Sequence, residues 1–110
     1  MISGLKTSIW VAALIRRAGV EGAFAALSRK GDGDAGAVLV KVCTLDGNAA
    51  LYRPIRNMAG ERVWLPKGPA PEPEIDMTID KRAKTDPDLW VVEIEDKQGR
   101  HFLTEPVEQQ

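Results

Sequence analysis

The chain has 110 residues, 44% of them apolar and 28% charged, and its 15 basic and 16 acidic residues leave a formal net charge of −1. A chain of this length supports one modest core, so residues 1–104 are assigned to a single domain and 105–110 to a frayed tail. The near-neutral balance provides no broad positive field for a phosphate backbone, which makes nucleic acid an unlikely partner, and the lone cysteine, Cys43, excludes an intramolecular disulfide and a thiolate zinc cluster.

Thr7 or Ser8 is positioned to cap a first helix in which Val11, Leu14, Ile15 and Ala18 share one face and which Gly19 ends. Arg16 and Arg17 fall in its last turn, where positive charge complements the helix dipole. The apolar stretch Ile9–Ile15 is too short to span a bilayer, and arginines rather than a small-residue cleavage site follow it, so a cytoplasmic location and no membrane partner are expected. Residues 22–29 are assigned to a strand and Gly31–Gly36 to a loop. Asp32 and Asp34 match the start of a calcium loop, but positions five, six and twelve counted from Asp32 are Gly36, Ala37 and Cys43, so no metal is expected there.

Ala37–Leu45 and Ala49–Ile55 flank the hairpin dipeptide Asp46-Gly47. A two-residue loop opposes Val42 to Leu51 and Lys41 to Tyr52, whereas a bulged turn slips that register. A turn at Met58–Glu61 leads to a short strand, Arg62–Leu65, with Trp64 as a core or edge anchor. The four prolines from Pro66 to Pro73 predict an extended surface connection, and the PxxP spacing of Pro66 and Pro69 is common in such connectors. Pro73 suits the first turn of a second helix, with Glu74, Asp76 and Asp80 toward its front and Lys81, Arg82 and Lys84 at its end. Its narrow stripe of Ile75, Ile79 and Ala83 predicts packing on a sheet. Asp86-Pro87 stops this helix. In the strand Leu89–Glu95, Trp90, Val92 and Ile94 then point one way and Val91, Glu93 and Glu95 the other. After a turn at Lys97–Gly99, Arg100–Leu103 is assigned as the last hairpin strand.

No reaction is legible in these residues. Asp88 and Glu95-Asp96-Lys97 match the letters of a magnesium nuclease signature, yet Asp88 and Glu95 lie seven residues apart on one strand, about 23 Å, too far to share an ion. His101 is the sole histidine and follows no triad pattern, and Ser3, Ser8 and Ser28 occupy no nucleophile elbow. No catalytic residue and no cofactor are assigned.

Trp10 with Arg16-Arg17, Arg29-Lys30-Gly31-Asp32 with Ala35-Gly36-Ala37, and the block Asp86–Asp96 with Gly99-Arg100 resemble a small uncharacterised family of alphaproteobacterial proteins, domain of unknown function fourteen-ninety-one. The resemblance covers nearly the whole chain. It implies a stand-alone cytoplasmic bacterial protein, supports a strand before Gly31 and transfers no catalytic residue.

The expected fold is α+β: an antiparallel sheet of four to six short strands built from hairpins, with two helices packed on one face and the other face partly bare. Such a face predicts a non-enzymatic protein-interaction module or small regulatory subunit, binding an unidentified partner protein or a second copy of itself. An alternative is a small-ligand or nucleotide-phosphate binder at the glycine loop. Across the two readings the candidate contacts are Arg17, Arg29, Lys30, Asp32, Asp88 and Trp90. A third reading, weak nucleic-acid binding through Lys41, Tyr52, Arg53 and Arg56, requires those side chains on one hairpin face.

Overall fold

Seven elements follow one another along the chain: α1 (Thr7–Val20), β1 (Phe24–Arg29), β2 (Val38–Cys43), β3 (Asn48–Arg56), β4 (Arg62–Pro71), α2 (Glu72–Thr85) and β5 (Trp90–Glu95). The computed structural model describes residues 6–31 and 36–108. The five strands form one sheet in the order β1-β5-β2-β3-β4. Three of its neighbouring pairs are antiparallel, and β2 and β5 run parallel at its centre. The fold is therefore α+β with a mostly antiparallel sheet, and two neighbouring pairs, β1–β5 and β2–β5, are joined through long connections rather than hairpins.

The two helices lie on opposite faces, not on one face as expected. On one side Val38, Val40 and Val42 of β2 and Trp90, Val92 and Ile94 of β5 pack against Trp10, Val11 and Leu14 of α1. On the other, Leu39, Cys43, Leu51 and Val91 pack against Ile75 of α2. The cause is legible in β2, whose run Val-Leu-Val-Lys-Val-Cys is apolar on both sides of the pleat and buried throughout. A strand of that kind needs cover on both faces.

The strand before Gly31 is β1, with a bulge between Leu27 and Arg29. Helix α1 starts without a side-chain cap; Thr7 donates instead to the Gly36 carbonyl at 3.1 Å. The hairpin adopts the slipped register, with Lys41 opposite Leu51 and Val42 opposite Ala50. Its loop places Leu45 at φ 64° and Gly47 at φ 90°, a longer turn than the two-residue form. The Asp46 carboxylate accepts from Thr44 Oγ1 at 2.6 Å and from the Asn48 N–H at 3.1 Å.

Two expectations about the later chain are corrected. The proline stretch is not a connector but the second half of β4, which pairs with β3 as far as Asn48–Pro71. It tolerates Pro66, Pro69 and Pro71 because β4 is an edge strand, where a missing N–H facing outward breaks no ladder. Residues 100–104 form no strand: Arg100 folds back on Asp96 through two charge-assisted bonds of 3.0 and 2.8 Å, and Phe102 sits at φ 59°.

Residues 105–108, expected to fray, line the outer side of β4. Trp64 donates to the Pro106 carbonyl at 2.9 Å, and Glu108 donates to the Trp64 carbonyl at 2.7 Å. The Glu105 carboxylate takes the indole N–H of both Trp10 and Trp64, at 3.2 and 3.1 Å. Those two rings stack with centroids 5.5 Å apart. Buried indoles need acceptors, and the tail supplies one for each. Gln109 and Gln110 lie outside the described residues.

Candidate functional site

The sequence-predicted contacts do not form one site. Arg29 donates from Nε to the Leu89 carbonyl at 3.1 Å and from Nη2 to that of Pro87 at 3.4 Å, so its guanidinium pins the turn before β5. Gly31 and Gly36 press against the Asp88 carbonyl, and a Cβ on Gly31 would lie 2.6 Å from Trp90 Cδ1. These glycines permit close packing. Trp90 is buried, and its indole N–H has no acceptor among the described residues. Lys30 and Asp88 are exposed, while Asp32 lies outside the described residues.

Arg17 sits elsewhere. Thr7, at the other end of α1, holds Gly36, and ten helical residues carry the chain about 15 Å from there to Arg17. The Arg17 guanidinium donates to the Phe102 carbonyl at 3.1 and 2.9 Å. With Arg16, Val20 and Leu103 it borders a cleft of about 580 Å³.

The hairpin set for nucleic acid is also divided. Tyr52 packs on the α1 side, and Arg53 borders a cleft with Leu39 and Leu51 on the α2 side. Lys41 is buried among carboxylates. The one-face condition fails.

A cluster that sequence reasoning missed surrounds Lys41. Its ammonium, on a residue only 6% exposed, lies 2.7 Å from Glu72 Oε2, 2.7 Å from Asp76 Oδ1 and 3.2 Å from Glu93 Oε1. Burial alone would lower the lysine's pKa, but the hydrogen bonds to Asp76, Glu72 and Glu93 outweigh it and hold the pKa above the ordinary value. The same bonds hold the Glu72 carboxyl below its usual range. Cys43 Sγ donates to Glu93 at 3.4 Å and to Glu72 at 3.6 Å. Burial, reinforced by those two carboxylates and opposed by Lys41, pushes the thiol up to about 12.

Cys43, Glu72 and Glu93 offer three ligand atoms within 4.8 Å of one another. A metal there would compete with the ammonium for the same oxygens and would need a thiolate that this environment disfavours. The cluster balances charge beneath α2, and a permanently protonated lysine is no base. The signal for it was a lysine inside an apolar strand, with Glu72 and Asp76 one helical turn apart.

Farther along α2 the charge reverses. Arg53 of β3, Lys67 of β4, and Lys81 and Arg82 of α2 ring a cleft of about 420 Å³. Its floor is Leu39 and Leu51, and Lys67 Nζ donates to Thr78 Oγ1 at 2.9 Å. Arg82 stands 3.6 Å from Asp86; among the described residues Arg53, Lys67 and Lys81 make no ion pair.

The sheet's two edges differ. The β4 edge carries three prolines and is partly covered by residues 106–108. The β1 edge pairs with no strand on its outer side among the described residues. Phe24 and Leu27 on it are 62% and 38% exposed, and the neighbouring helix α1 adds exposed Ile9 and Val20.

His101 is tied into its loop: Nδ1 accepts the Leu103 N–H at 2.9 Å, and the ring lies edge-on to Tyr52. Burial lowers its pKa. Among the described residues no helix is long and apolar enough to cross a membrane.

Comparison with known proteins agrees with this architecture. A crystal structure of a DUF1491 family protein from Caulobacter crescentus CB15 is 57% identical, with a TM-score of 0.87 over 94% of this chain and 99% of that one. An NMR structure of a DUF1491 family protein from the same organism is 55% identical, with a TM-score of 0.83 over 96% and 97%. The solution structure of protein Atu0922 from A. tumefaciens is 35% identical, with a TM-score of 0.79 over 96% and 98%. No curated protein matches the sequence. The family model described as "Protein of unknown function (DUF1491)" matches residues 5–104, and the chain belongs to that family.

Proposed function

We propose that this protein is a non-enzymatic interaction module that takes up an extended segment of a partner protein along β1. The observation that carries the reading is the asymmetry of the sheet edges: β4 is guarded, and among the described residues nothing pairs with the outer side of β1, beside exposed Phe24 and Leu27. An unpaired edge is a template for strand addition, in which main-chain bonds supply affinity and alternate side chains supply specificity. The edge replaces the bare sheet face of the sequence reading, because α1 and α2 take opposite faces. The partner's segment would present apolar residues at alternate positions to meet Phe24 on one face and Leu27 on the other.

The test is a tagged pull-down from native cell lysate, with and without nuclease, using the wild-type protein and a Phe24→Asp/Leu27→Asp variant. Both side chains are exposed, so the variant retains its circular dichroism spectrum. A stoichiometric partner that survives nuclease and is lost with the variant supports the reading. Equal capture by both proteins, or no partner at all, overturns it. Sedimentation of the purified protein separates a foreign partner from a second copy.

A further inference from the structure

We propose that the cleft between the second half of α2 and strands β3 and β4 is a binding site for a small phosphorylated molecule. This inference is independent of the β1 edge, which belongs to the other end of the sheet.

Four cationic side chains from three elements converge on one concavity of about 420 Å³ in a protein whose net charge is −1. Among the described residues no carboxylate borders it. The contrast with Lys41 on the same face is informative: there three carboxylates neutralise one cation, whereas here three of four cations have no counter-charge among the described residues. Like charges held together repel, and an anion that enters relieves the repulsion, so binding adds to folding stability.

Two of the four cations are held in place. Lys67 is fixed by its bond to Thr78, and Arg82 by its approach to Asp86. Arg53 and Lys81 remain free to close on a ligand. Arginine forks suit phosphate oxygens in a bidentate arrangement, and lysines add point charge. Leu39 and Leu51, buried beneath the cleft, keep its base closed. The volume falls in the range of about 300–1,000 Å³ typical of small-molecule sites.

The arrangement favours a compact ligand over a nucleic-acid strand. A strand needs a track of positive charge with aromatic platforms for its bases. Here the charges ring a single cleft, no aromatic side chain among the described residues borders it, and Tyr52 lies on the opposite face of the sheet.

The experiment uses the full chain with pyrophosphate as probe, in a titration at constant ionic strength followed by amide chemical shifts and thermal unfolding. Saturable shifts at Arg53, Lys67, Thr78, Lys81 and Arg82, with a rise in melting temperature, are expected. In an Arg53→Ala/Lys81→Ala variant, which removes only surface side chains, affinity should fall by about tenfold or more for each of the two cations removed. Retained affinity in the variant overturns the site. So do shifts that map elsewhere, shifts that potassium chloride reproduces, and tighter binding of a single-stranded oligonucleotide than of pyrophosphate.

Discussion

Replacing Gly31 by alanine tests whether the glycine loop serves packing rather than ligand binding. A Cβ at Gly31 would overlap the Asp88 carbonyl and approach Trp90 Cδ1 to 2.6 Å. Neither neighbour is a flexible tip: Arg29 braces the turn through the Leu89 and Pro87 carbonyls, and the Trp90 backbone N–H is bonded to the Ala37 carbonyl at 2.9 Å. Backbone and buried ring must therefore shift, and such overpacking costs about 1–3 kcal/mol. The alanine also restricts the unfolded chain, which returns about 0.4–1 kcal/mol. A net loss of about 1.3 kcal/mol is expected, or a fall of about 5–7 °C in melting temperature at roughly 4–5 °C per kcal/mol. Gly19→Ala is the control. Gly19 lies inside α1 with nothing within 4 Å of its would-be Cβ, so there the same substitution should stabilise by about 0.5–1 kcal/mol. Urea melts of the two variants should move in opposite directions. If Gly31→Ala melted at or above the wild-type midpoint, the packing account of this loop would be wrong.

Lys41→Met leaves Glu72, Asp76 and Glu93 facing one another; because these carboxylates are 36–49% exposed, solvent screening limits the cost to about 1–2 kcal/mol at pH 7. Glu72's depressed folded pKa means that its stabilisation is present above about pH 4.3 and is lost as pH falls through the folded value. Lys41's raised pKa means that its contribution is full below about 10.4 and is lost as pH climbs through the folded value. The deficit of Lys41→Met in urea melts should therefore be widest near neutrality and shrink at both extremes; a gap that ignores pH would refute the pairing. Glu105→Ala strips the acceptor from two buried indoles and should cost about 1–3 kcal/mol with a change in tryptophan fluorescence, whereas an unchanged melt would mean that the tail is ornamental. Cys43, with its thiol at about 12, should react with a disulfide reagent about three orders of magnitude more slowly than a free thiol near 8.5 until denaturant exposes it.

What could be read from residue order was local. Pro73 opened α2 one position after its start, the alternation in Trp90–Glu95 placed β5 and both of its faces, and Asp46-Gly47 marked the hairpin. The register needed the φ of Leu45 and Gly47, which the residue letters leave open. β4 was concealed by its prolines, because the rule against proline in strands holds for central positions and strand order is a property of the whole sheet. Among the candidate contacts, Arg29, Asp88 and Trp90 do converge with Gly31, but through backbone carbonyls and close packing. Arg17 was grouped with them on type alone and sits at the far end of α1. The Lys41 cluster and the cationic cleft depend on where α2 crosses β2, β3 and β4, a long-range fact that no short motif encodes.

The parallel pairing of β2 with β5 sets the timetable on which this chain can become a protein. Among the described residues β1 pairs with no strand but β5, and the core under α1 combines Trp90, Val92 and Ile94 with the β2 valines. A nascent chain that has emerged only to Thr85 holds the β2–β3–β4 meander with the β2 valines on which α1 packs, yet its first strand has no ladder to join. Partner residues in the β1–β5 ladder, such as Phe24 and Glu95, are 71 positions apart, and ladders of such separation close late because loop closure precedes their reward. The first strand must therefore wait, its backbone unpaired, until the ribosome has delivered β5. In the finished fold the last strand to be made is the one that holds the first.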